Sequence, residues 1–142
     1  MENISESVKL RELLRIFERK LGILSDTQTS CCEVSIAQCH ALVEIGRAKN
    51  IALNELAGLL SLDNSTMSRT VNNLVNNGLA KRDIDTQDRR YVTISLTESG
   101  IKVFCNIEAN MTQYYKKVYD SIPENKRNQI LDSLEILLKS LT

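Results

Sequence analysis

No run of apolar residues comes near the roughly 18 needed to cross a bilayer. The opening MENISESVKLRELL is acidic and amphipathic, unlike a secretion signal, so the expected location is the cytoplasm, with no membrane partner. Tryptophan is absent, and Leu, Ile and Val far outnumber the four Tyr and two Phe, which suits helices packed by aliphatic side chains. No glycine-rich phosphate loop and no serine-nucleophile motif occurs. The one histidine, His40, stands beside Cys39, and consecutive helical residues diverge by about 100°, too far to form a catalytic relay. The chain therefore reads as a non-enzyme. Net charge is missing as well: 18 basic residues balance 18 acidic ones. Bulk composition thus lends nucleic-acid binding no support, and any such case rests on local placement.

Local placement is uneven. From Arg69 to Lys102 stand Arg69, Lys81, Arg82, Arg89, Arg90 and Lys102 against four acidic residues, whereas from Leu21 to Ser68 only Arg47 and Lys49 face five acids. At 142 residues the chain is expected to form one domain. Leu10, Leu13, Leu14, Phe17, Leu21 and Leu24 recur at steps of three and four, which predicts an amphipathic helix from Ser5 to Leu24. After the polar, turn-like SDTQTSCCEV, Ser35 and Gln38 form a capping box opening a second helix that Gly46 is expected to close. A third helix is predicted over Leu53 to Leu60, with Leu56, Leu59 and Leu60 inward. A fourth, STMSRTVNNLVNN, is capped by Asp63 or Asn64 and ended by Gly78. Two strand-like segments follow, Ala80 to Ile84 and Tyr91 to Leu96, joined by DTQDRR. Thr97 can cap a long fifth helix to about Ser121, and the single proline, Pro123, starts the last one.

The fourth helix carries the informative pattern. Met67, Val71, Leu74 and Val75 make its apolar face, while Ser65, Thr66, Ser68, Arg69, Asn72, Asn73 and Asn76 make an outer face that is polar yet nearly uncharged. A merely solvated helix favours Glu and Lys there. Two short helices with a tight turn, the second polar outside, match a helix-turn-helix, and the following hairpin with Arg89 and Arg90 at its tip matches a wing. Ser, Thr, Asn and Arg pair with base edges in the major groove, and an arginine-tipped loop suits the negative, narrow minor groove.

The segment NSTMSRTVNNLVNNGLAKRDIDTQDRRYVTISLTESG resembles the central signature of the MarR family of winged helix-turn-helix transcriptional regulators. The resemblance implies a mainly α fold, with a winged helix-turn-helix core and its two-stranded wing over about 35–97 and dimerisation helices over 1–24 and 98–142. It implies that Ser65, Thr66, Ser68, Arg69 and Asn72 face the major groove and that Arg90 enters the minor groove, steadied by Asp88. Arg82 and Asp85 match a charged pair at the wing's base, and Arg89 contacts phosphate or pairs with an acid. Implied partners are double-stranded DNA with a palindromic operator and a second copy of the chain. The two recognition helices would stand about one DNA turn, roughly 34 Å, apart. Repression relieved by an effector is the output the resemblance implies. A helical protein-interaction module that binds no DNA is the alternative class, distinguished by having no use for the uncharged face and arginine tip.

The effector is left open. Cys31, Cys32, Cys39, His40 and Cys105 are candidate sensor or metal-binding residues, since thiolate and imidazole suit zinc or copper and grouped thiols can form a reversible disulfide. The order Gln38, Cys39, His40 resembles zinc-responsive members of the family, which place a ligand directly before His at the start of the second helix. Their further histidines on the fifth helix are absent here, where Cys105 and Glu108 stand instead. No CxxC pair occurs, so the competing reading makes Cys39 and Cys105 small core residues and Cys31 and Cys32 incidental loop residues, with no cofactor required. A small aromatic ligand bound between the reading unit and the dimerisation helices is the third reading, implied by the family.

Overall fold

The computed structural model describes residues 2–30, 34–84 and 86–141, with the side chains of 2–4 and 23–30 left aside. The chain forms two compact units, Met1–Ile107 and Glu108–Thr142. The first holds α1 (Glu2–Ser30), α2 (Ile36–Ala48), β1 (Ile51–Ala52), α3 (Leu53–Leu59), α4 (Asn64–Asn76), β2 (Ala80–Ile84), β3 (Val92–Leu96) and the start of α5 (Glu98–Ser121). The second holds the rest of α5, a 3-10 turn (Glu124–Lys126) and α6 (Arg127–Ser140).

The first unit is built around α4. Met67, Val71 and Leu74 are fully buried, as are Leu42 and Ile45 of α2, Leu56 of α3 and Ile94 of β3. Each such side chain contributes about 1.5–3 kcal/mol through the apolar area it removes from water. The apolar period of α4 thus turns its polar residues outward. The strands form one antiparallel sheet in the order β1-β3-β2, with Ile51 opposite Ile94 and Ala80 opposite Leu96. The sheet is three-stranded rather than the expected two: Ile51–Ala52 pairs with β3, and a two-residue strand is too short to show alternation in sequence.

Helix boundaries depart from the sequence reading in four places. α1 runs on to Ser30, through residues whose polarity suggested a turn. Gly46 does not close α2; it lies inside the helix, where a Cβ would stand 2.5 Å from the Phe104 ring, so glycine there allows α5 to pack close. In α3 it is Leu56 and Ala57 that are buried while Leu59 is exposed, because seven residues make too few turns for periodicity to choose a face. Pro123 precedes the 3-10 turn, and α6 itself begins at Arg127. That second unit is held at its corner by Arg127, whose Nε donates to the Ile122 carbonyl at 3.1 Å and whose Nη2 donates to the Asp120 carbonyl at 3.1 Å, with the guanidinium over the Tyr119 ring.

Both helices of the helix-turn-helix end in the same hydrogen-bond motif. After α4, Gly78 N–H donates to the Val75 carbonyl and Leu79 N–H to the Leu74 carbonyl; after α3, Ser61 N–H donates to Gly58 and Leu62 N–H to Ala57. The motif puts its penultimate residue at positive φ, 75° for Gly78 and 54° for Ser61. Glycine adopts this without penalty, whereas a Cβ costs about 1–2 kcal/mol. Ser61→Gly is therefore expected to raise stability by about 1 kcal/mol in urea denaturation, and Gly78→Ser to lower it comparably; equal midpoints for all three proteins would contradict the left-handed turn.

Candidate nucleic-acid interface

The N-terminus of α4 is fixed by Asp63, whose carboxylate accepts from Thr66 N–H at 3.4 Å. Hydrogen bonding from the Thr66 side chain is the main cause holding the Asp63 carboxyl below its usual range; desolvation opposes it, and the backbone amides of Thr66, Asp63 and Ser65 add to the lowering. Beyond this cap the outer face of α4 carries no acidic residue. Ser65, Arg69 and Asn72 are exposed, and Thr66 and Ser68 are half-buried. Ser65, Ser68, Arg69 and Asn72 share one shallow depression with Asn64 and Leu53 of α3.

The hairpin tip is ordered by Asp88. Its Oδ1 accepts from Arg90 N–H at 3.0 Å and from Arg90 Nε at 3.2 Å, and its carbonyl accepts from Tyr91 N–H at 3.0 Å. Arg90 is nonetheless 92% exposed, so the carboxylate orients the guanidinium without hiding it. Arg89 is also exposed. At the wing's base Arg82 stands opposite buried Ile94 and so points to the helix side of the sheet, where its Nη2 donates to the Ser68 carbonyl and to Ser68 Oγ, both at 3.2 Å. Asp85, the partner expected for Arg82, lies outside the described residues. The tie from wing to recognition helix joins residues 14 apart, a separation with no local sequence signature.

The cysteine cluster is only partly visible. Cys31 and Cys32 lie outside the described residues. Cys39 is half-buried on α2, His40 beside it is exposed, and Cys105 is exposed on α5. Cys105 is thus not the small core residue considered from sequence: buried Ile107 sits about 200° round the helix from it. Among the described residues no three His, Cys, Asp or Glu side chains are grouped to hold a metal ion.

The depressed Asp63 carboxyl gives a pH prediction. A lowered folded-state pKa contributes stability that is present above the ordinary carboxylate value and lost as pH falls through the folded value. Asp63→Asn, which keeps a side-chain acceptor but no charge, is expected to flatten the acid limb of stability below about pH 4. Urea denaturation across pH 2–6 checks this, and parallel curves for the two proteins would count against the charged cap.

Residues 34–92 match the model of the MarR family. The HTH-type transcriptional regulator BilQ of Clostridium symbiosum is 25% identical over 125 residues, covering 88% of this chain and 87% of that protein. A solved structure of a mutant MarR from Escherichia coli complexed with operator DNA superposes with a TM-score of 0.77 at 25% identity, covering 96% of this chain and 95% of that one. Streptococcus pneumoniae FabT in complex with DNA has the same fold, with a TM-score of 0.80 at 24% identity over 93% of this chain and 96% of that one. Signature, winged helix and relatives converge: residues 34–92 carry a MarR-family domain, and the chain is a DNA-binding transcriptional regulator similar to that family's members over most of its length.

Proposed function

We propose that the chain acts as a homodimer on a palindromic duplex operator, placing α4 in the major groove and Arg90 in the flanking minor groove. One observation carries the reading: an acid-free polar helix face stands beside a hairpin whose tip arginine is both oriented by Asp88 and exposed. Uncharged amides and hydroxyls match base edges, and a pre-oriented arginine suits the stronger negative potential of a narrow minor groove. Among relatives, the Escherichia coli structure was solved with operator DNA. The proposed output is repression relieved by an effector, in the cytoplasm and by binding alone, and it rests on the family resemblance.

Dimerisation is supported by apolar side chains that each unit leaves uncovered. On α1, Leu10, Leu13, Phe17 and Leu21 are exposed along one stripe; on α6, Ile130, Leu134 and Leu138 are exposed likewise, as is Leu141 at its C-cap. Monomeric proteins rarely leave such continuous apolar surface in water. A second copy covers them and brings a second neutral-but-basic-tipped reading unit, doubling the phosphate contacts that a single chain of zero net charge makes.

Arg90→Ala is expected to weaken operator binding by about 1–3 kcal/mol, tenfold or more, with Asp88→Ala weakening it less because the guanidinium remains but is no longer aimed. Fluorescence anisotropy with a duplex from the chain's own upstream region measures both, and unchanged affinity for Arg90→Ala sinks the wing assignment. In sedimentation at micromolar concentration the protein is expected at twice its 16.0 kDa chain mass; a single-chain species would refute the dimer.

A further inference from the structure

Of the five α4 side chains expected at base edges, the fold has already engaged two. Thr66 is half-buried and bound to Asp63 through both its amide and its side chain. Ser68 Oγ accepts from Arg82 Nη2 at 3.2 Å, and the Ser68 carbonyl takes a second bond from the same nitrogen. Ser65 is exposed, but a hydroxyl both donates and accepts and so selects no base. Arg69 and Asn72 remain. Both are exposed, and neither has a side-chain hydrogen bond or ion pair among the described residues. Asn73 and Asn76 are exposed too, yet neither lines the depression that Arg69 and Asn72 share with Ser65 and Ser68.

The chemistry of the two remaining side chains differs. A carboxamide presents one donor beside one acceptor, the complement of adenine N6 and N7; a guanidinium presents paired donors, the complement of guanine O6 and N7. Three residues advance a helix by about 4.5 Å, against about 3.4 Å between stacked base pairs. The two bases therefore fall on adjacent or next-nearest pairs. Resting on the proposed seating of α4 in the major groove, we infer that each operator half-site carries a guanine read by Arg69 and, one or two pairs away, an adenine read by Asn72, and that these two side chains set its base specificity. Arg82 has a distinct part: by occupying Ser68 it removes a non-selective hydroxyl from the reading face and holds the wing to the helix that reads.

The test uses the full chain to enrich duplexes from a randomised library, then measures affinities of wild type, Asn72→Ala and Arg69→Ala for the enriched duplex and all its single-pair variants. Wild type is expected to discriminate by about tenfold to a hundredfold at one A·T and one G·C pair in each half-site. Asn72→Ala should level the preference at the A·T pair alone, and Arg69→Ala at the G·C pair alone. Placing 7-deazaadenine, which lacks the N7 acceptor, at the A·T position should reproduce the Asn72→Ala loss in wild type and change nothing further in the variant. Alanine suits exposed helix positions, so circular dichroism should show both variants folded. A uniform loss in both variants, with the base preferences intact, would overturn the inference and make the two side chains phosphate contacts while leaving the regulator standing. Enrichment of no sequence, with affinity no better than for random duplex, would overturn the regulator reading together with it.

Discussion

The burial of one face of α4 is the constraint on which the reading unit depends. Met67, Val71 and Leu74 have no exposed surface, and they are buried along with Leu42, Ile45 and Leu56 of the two preceding helices and Ile94 of the sheet. Rotating α4 to bring another face inward would put Arg69 or Asn72 into that core at a cost of several kcal/mol for an unpaired polar group. The outward direction of the polar face is therefore a consequence of core formation. Presenting that face needs no separate folding device.

Everything else in the first unit refines that placement. Asp63 fixes where α4 begins, and Gly78 lets the chain turn sharply into β2. β2 then returns through Arg82 to the middle of α4, which makes the position of the hairpin depend on the helix it flanks. At the far end of the hairpin Asp88 holds the Arg90 side chain. An exposed ion pair of this kind adds little stability. Its contribution is orientation, which lowers the conformational entropy an exposed guanidinium loses on binding.

Zero net charge is compatible with this design. Between Leu21 and Ser68 five acidic residues stand against two basic ones, whereas between Arg69 and Lys102 six basic residues stand against four acidic ones, so attraction to phosphate is strongest on the wing side of the unit. A neutral protein with a local basic tip keeps non-specific attraction modest, and more of its discrimination has to come from contacts to base edges. The uncharged polar face of α4 is consistent with that division.

Amphipathic periodicity in the sequence located the helices, and in α4 it also picked out the face that the core buries. The buried residues of α4, the Ser35–Gln38 capping box and the roles of Asp63, Gly78 and Thr97 as helix ends were all legible, because each depends on residues within four positions of one another. The polar, acid-free outer face of α4 was legible for the same reason. What tertiary structure decided lies beyond that range: the pairing of Ile51 and Ala52 with β3, the approach of Phe104 that turns Gly46 from a helix end into a packing site, and the tie from Arg82 to Ser68. Those contacts join residues far apart in the chain, and a local pattern holds no record of a partner that only the closed core brings near.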